Sequence, residues 1–212
     1  MMASDTSDVP RLVTTGPANA EWSVVLAHGA GAGLDSEFMQ AISAGLVDHG
    51  LQVVRFEFPY MERQHREHKR RPPDRLPRLR ATWLSVIAAC RGSRLLIGGK
   101  SMGGRIASLV ADETAVDGLL CLGYPFHPAG RPERQRIDHL RNIRTPTLIV
   151  QGERDALGNR GEIASYPLSE AIRLAWLEDG DHSFKPRKAS GHTQAAHWQR
   201  ACTLAAEFVA SL

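Results

Sequence analysis

No stretch of this 212-residue sequence approaches the ~18–20 consecutive apolar residues that span a bilayer, so no membrane partner is expected. Cysteine is scarce. Cys90, Cys121 and Cys202 are odd in number, far apart and without a CxxC pair. That argues against a disulfide framework and a zinc site, and the three read as small buried hydrophobes in a reducing, cytoplasmic setting. Residues 1–10 are polar and acidic and lack the basic-then-apolar pattern of a secretory signal. They read as a disordered lead-in to one domain over 11–212.

An excess of one charge sign is also missing. The total is only +3, and it is unevenly placed. Residues 62–80 hold eight basic side chains against three acidic ones, which leaves the rest of the chain slightly acidic. Basicity confined to one segment does not support a nucleic-acid partner.

What is present is alternation. Short apolar runs, Trp22–Ala27, Gln52–Phe58, Arg94–Ile97, Gly118–Gly123, Thr147–Gln151 and Ile172–Leu177, read as strands, with Leu12–Thr15 as an edge strand. Several are continuously apolar, as strands covered on both faces are. Helical patterns fall between them: one capped by Asp35 and ending near Gly50, then Arg78–Ala89, Met102–Asp112 and Gln194–Leu212. The sum is a doubly wound, mostly parallel α/β sheet flanked by helices. The Glu62–Pro77 stretch, rich in Arg and Pro, reads as a long irregular loop.

Gly99-Lys100-Ser101-Met102-Gly103 matches GxSxG, with an apolar strand before it and a helical pattern after it. That setting lifts a serine Oγ above the sheet as a nucleophile. The same residues resemble the end of a phosphate-binding GxxxxGK[ST] loop, but position 94 is Arg where that pattern needs glycine. A serine nucleophile needs a base oriented by a carboxylate. Beyond the strand Thr147–Gln151 stands Asp155, with Glu153 as the alternative acid. Beyond Ile172–Leu177 stands His182; Asp179 and Asp181 beside it read as solvent-facing. Both positions lie past C-terminal strand ends, where open α/β sheets place their sites. The order Ser101, Asp155, His182 is the one such folds use.

The first long strand runs into His28-Gly29-Ala30-Gly31-Ala32-Gly33, whose small residues allow close backbone approach. It is not a dinucleotide loop, because residue 34 is Leu where GxGxxG needs glycine. The Met102 and Ala30 N–H groups are the expected oxyanion donors, and His28 is expected to prop the loop.

With HGAGAGLDSEFM, VVRFEFPY, GGKSMGGRIAS, CLGYPFHP, PTLIVQGERDALG and DGDHSFKP in hand, the chain resembles an α/β-hydrolase branch. That branch includes testis-expressed protein 30 and the hydrolase-like domain of NSL complex subunit 3, and its bacterial members are labelled dienelactone-hydrolase-like. The resemblance covers most of residues 22–188. It implies a minimal α/β-hydrolase fold with Ser101 as nucleophile, Asp155 as acid and His182 as base, and no cofactor. Dienelactone hydrolases proper use cysteine, so Ser101 points away from that activity.

No insertion is long enough for a cap domain. The expected site is open, roofed by Met61–Pro77, with Lys100, Tyr60, Tyr124 and Phe126 as substrate-pocket walls. Lys100 and the roof arginines suggest an anionic small ester or steering of one; a solvated basic loop is the other reading. The expected function is serine-esterase cleavage of a small ester or thioester. The alternative is a non-catalytic binding or scaffold protein on the same fold.

Overall fold

A computed structural model describes residues 9–90 and 94–212; most of the expected lead-in over 1–10 therefore lies outside the described residues. Seven strands form one sheet: β1 (Leu12–Thr15), β2 (Trp22–Ala27), β3 (Gln52–Phe56), β4 (Arg94–Lys100), β5 (Gly118–Leu122), β6 (Thr147–Gly152) and β7 (Ile172–Leu177). Their order is β1-β3-β2-β4-β5-β6-β7. Only β1 runs antiparallel to its neighbour, β3; the other five pairings are parallel. This is the mostly parallel α/β sheet that the alternation predicts.

The apolar strand runs follow from a sheet covered on both faces. Successive side chains alternate between the faces. Val25 and Ala27 of β2, Ile97 of β4 and Cys121 of β5 join one core, with Trp83 and Ile106 from helices. Val24 and Leu26, Leu96, and Leu120 and Leu122 join the other. The first core is covered by α3 (Leu76–Ala89) and α4 (Met102–Ser108), the second by α1 (Glu37–Asp48) and α6 (Gln194–Ala210). All three cysteines are free; Cys121 and Cys202 are buried.

Two expectations about helices need correction. The cap of α1 is Ser36, whose side chain accepts the Met39 N–H, rather than Asp35. The 62–77 stretch is not one irregular loop: α2 spans Pro59–Glu67 and α3 already begins at Leu76. An apolar helical periodicity is absent there because α2 buries only Tyr60 and Met61 and leaves its charged face in solvent. Several basic side chains of 62–80 are paired locally. Arg63 meets Asp74 at 2.5 Å, Arg71 pairs with Glu67, and Arg80 lies 2.6 Å from Glu113.

Trp83 is fully buried and meets Phe56 edge-on with centroids 4.9 Å apart. Trp83→Ala is expected to lower unfolding free energy in urea by about 3–5 kcal/mol. Leu84→Ala, one residue on but 39% exposed, is expected to change it by less than about 1 kcal/mol.

Candidate active site

The turn after β4 sets the geometry. Ser101 has φ 50° and ψ −114°, a region that costs a non-glycine residue energy and persists only where packing fixes it. The glycines around it permit that packing. A Cβ on Gly103 would stand 2.4 Å from the Ala27 carbonyl oxygen, and one on Gly99 would stand 2.1 Å from the same atom. Strand β2 and the turn are thus pressed backbone to backbone. Ser101 sits between β4 and the first turn of α4, with Met102 as the first helical residue. An N–H at that position has no acceptor within its own helix.

His182 follows β7. Its Nε2 lies 2.9 Å from Ser101 Oγ, and its Nδ1 lies 2.8 Å from Asp155 Oδ2. Asp155 is fully buried. It also accepts the Leu157 N–H at 2.8 Å and the Gln151 side-chain amide at 2.9 Å. A carboxylate facing Nδ1 fixes the tautomer: Nδ1–H donates to Asp155, and Nε2 is left to accept the serine hydroxyl. Glu153, the alternative acid, is engaged elsewhere, with Arg160 at 2.5 Å and the Asp179 N–H at 3.1 Å.

Gln151 was not singled out in the sequence, yet it fastens this corner. Its amide donates to Asp155, to the Tyr124 carbonyl and to the Gly158 carbonyl, and its oxygen accepts the Tyr124 N–H at 2.7 Å. The available signal was a lone polar residue closing the apolar run TLIV. Asp179 also departs from expectation. It is buried and is held by Arg187 and Arg154. Hydrogen bonds from Arg187 bring its carboxyl down to about 2.

The loop after β2 is held from behind. His28 Nδ1 donates to the Gly29 carbonyl at 2.7 Å, and its Nε2 accepts the Phe58 N–H at 3.1 Å. Burial lowers His28 to about 4, so it stays neutral. The Tyr60 hydroxyl donates to the carbonyls of Ala30 (3.2 Å) and Gly29 (3.4 Å). Since the Gly29–Ala30 peptide is trans, its N–H opposes that inward-facing Gly29 carbonyl and is directed away from the core.

A cleft of about 370 Å³ opens over Ser101. Gly29, Ala30, Ala32, Phe38, Met39 and Lys100 line it with His182 and Ser183. Lys100 is therefore in the wall. Tyr60, Tyr124 and Phe126, expected there, are all fully buried. Tyr60 braces the loop from within, and the Tyr124 hydroxyl donates to the Arg136 carbonyl at 2.9 Å. Aromatic side chains beside apolar strands gained more by joining the core than by facing the cleft. The expected roof is likewise displaced: among the described residues, none from 59–80 lines this cleft.

Among the described residues, no three His, Cys, Asp or Glu side chains gather as a metal site requires. No described helix is long and apolar enough to cross a membrane.

Residues 20–210 match the family described as alpha/beta hydrolase domain. The chain belongs to this alpha/beta hydrolase family. Solved structures agree on the fold. A dienelactone hydrolase from Anabaena variabilis superposes with a TM-score of 0.71 at 20% identity, over 94% of this chain and 90% of that one. Est1E from Butyrivibrio proteoclasticus gives 0.67 at 14%, covering 94% of each. XC6422 from Xanthomonas campestris, described as a serine hydrolase without a lid, gives 0.66 at 16%, over 91% and 88%.

Burial of neutral His28 makes stability depend on pH. The unfolded chain takes up a proton near pH 6.5, whereas the folded one resists until about 4. This contribution is complete above the unfolded value and is lost as pH falls toward 4. By pH 5 the loss amounts to about 2 kcal/mol. Urea midpoints at pH 7.5 and 5 are expected to differ less in His28→Gln, whose amide can still accept the Phe58 N–H. An unchanged slope in that variant contradicts a neutral buried His28.

Proposed function

We propose that this chain hydrolyses small carboxylic esters or thioesters through an acyl-enzyme on Ser101. The observation that carries the proposal is the unbroken chain Ser101 Oγ, His182 imidazole, Asp155 carboxylate, with links of 2.9 and 2.8 Å. Neutral Nε2 accepts the hydroxyl proton as Oγ attacks the carbonyl carbon. The imidazolium then gives that proton to the departing alkoxide or thiolate. Water, activated by the same nitrogen, cleaves the acyl-enzyme. Asp155 steadies the imidazolium, and the Met102 and Ala30 N–H groups receive the developing oxyanion.

The cleft walls favour an uncharged apolar group on the substrate, since Ala30, Ala32, Phe38 and Met39 form much of the surface beside Ser101. The basic segment stands off this cleft, with Arg63 and Arg71 paired to its own carboxylates and Arg80 to Glu113, which supports the solvated-loop reading of its charge. The six motifs quoted above support placing the chain in the branch of testis-expressed protein 30 and NSL complex subunit 3.

The test combines a fluorophosphonate probe with a p-nitrophenyl ester series. The unaltered protein is expected to be labelled once and to hydrolyse short-chain neutral esters. Ser101→Ala is expected to abolish labelling, and Asp155→Asn to lower kcat by about 10⁴-fold. A folded protein that neither labels nor turns over any ester instead supports the binding or scaffold role.

A further inference from the structure

The loop that carries His182 turns back sharply, with positive φ at Asp179 (53°) and Phe184 (64°) on either side of it. Two carbonyls that follow His182 are held by α6. The Ser183 carbonyl accepts from Gln194 and Trp198, and the Phe184 carbonyl accepts from His197 at 2.8 Å. The His182 carbonyl is held from the other side. Its partner is Lys100 Nζ, at 2.5 Å.

Lys100 is the residue before Ser101, so this contact ties the nucleophile's own strand to the loop of its base. The ammonium reaches that carbonyl through a gap that only glycine leaves open. A Cβ on Gly123 would stand 2.8 Å from Lys100 Nζ, 3.1 Å from the His182 carbonyl oxygen and 3.5 Å from His182 Nδ1. The ammonium and the imidazole therefore both border the space beside Gly123. The Phe38 and Phe184 rings flank Nζ at 5.5 and 5.8 Å. Asp155 and Asp181 are the charged groups that face it, and burial nevertheless brings Lys100 down to about 8.

We propose that Lys100 is a positioning residue for His182: its ammonium clamps the His182 carbonyl and so fixes the imidazole between Ser101 and Asp155. This rests on the reading of His182 as the general base. It also gives Lys100 a role other than attracting an anionic substrate, because the ammonium is turned to the protein's own carbonyl. The clamp acts on the base rather than on the substrate, so its loss is expected in kcat and not in KM.

The experiment measures kcat and KM of p-nitrophenyl ester hydrolysis for the unaltered protein, Lys100→Met and Lys100→Cys. Thermal melting confirms that each variant is folded. Lys100→Met is expected to lose about 10²-fold in kcat, the scale of an ångström-level misplacement, with little change in KM. Treating Lys100→Cys with 2-bromoethylamine rebuilds an ammonium of near-lysine length and is expected to restore kcat. The treated unaltered protein is the reference, since half-buried Cys90 also reacts.

A Lys100→Met enzyme with unchanged kcat overturns the proposal. So does a loss of kcat with no recovery on aminoethylation, or a loss carried by KM, which is what mere packing produces. If the unaltered protein neither labels with fluorophosphonate nor cleaves any ester, the reading of Ser101 fails first and the role of Lys100 falls with it.

Discussion

The close approach of β2 to the turn after β4 is the constraint on which the site depends. Two glycines, Gly99 and Gly103, let that turn rest against the Ala27 carbonyl at distances that no side chain tolerates. The contact holds Ser101 at positive φ. It also sets the end of β2, and hence the Gly29–Ala32 loop, beside the serine hydroxyl. An alanine at either glycine would force β2 and the turn apart, separating the parts on which the proposed chemistry relies.

Around that contact, each partner is fixed from a different element. Asp155 is buried at the end of β6, where Gln151 and the Leu157 N–H direct its oxygens. His182 hangs on a loop braced by α6 and by Lys100. The loop after β2 rests on His28 and Tyr60, both buried and both donating to its carbonyls. His182 itself keeps 29% of its side-chain surface open, which leaves the imidazole accessible to water from the cleft. The site is thus rigid at its supports and open at its reacting face, the arrangement that electrostatic preorganisation favours.

Much of this was legible in the sequence because parallel strands buried on both faces are uniformly apolar. β1, β2 and β7 fall on their expected residues, and the others differ only at their ends. The chain order of Ser101, Asp155 and His182 was legible because each follows an apolar run, and the structure brings the three together. The cleft walls were not legible. Tyr60, Tyr124 and Phe126 follow strands as pocket residues often do, but whether an aromatic ring turns inward depends on packing partners distant in sequence. α2 was hidden because it is amphipathic over little more than one turn, with Tyr60 and Met61 as its only buried residues. Gln151 was hidden because its importance lies in four hydrogen bonds to residues up to 27 positions away.

The measurement that bears most directly on the central claim is rapid mixing with excess p-nitrophenyl ester, followed by acid quenching and peptide mass spectrometry. The account predicts a burst approaching one p-nitrophenolate per chain and the matching acyl mass on the peptide that contains Ser101. Turnover accompanied by an acyl group on another residue would contradict it.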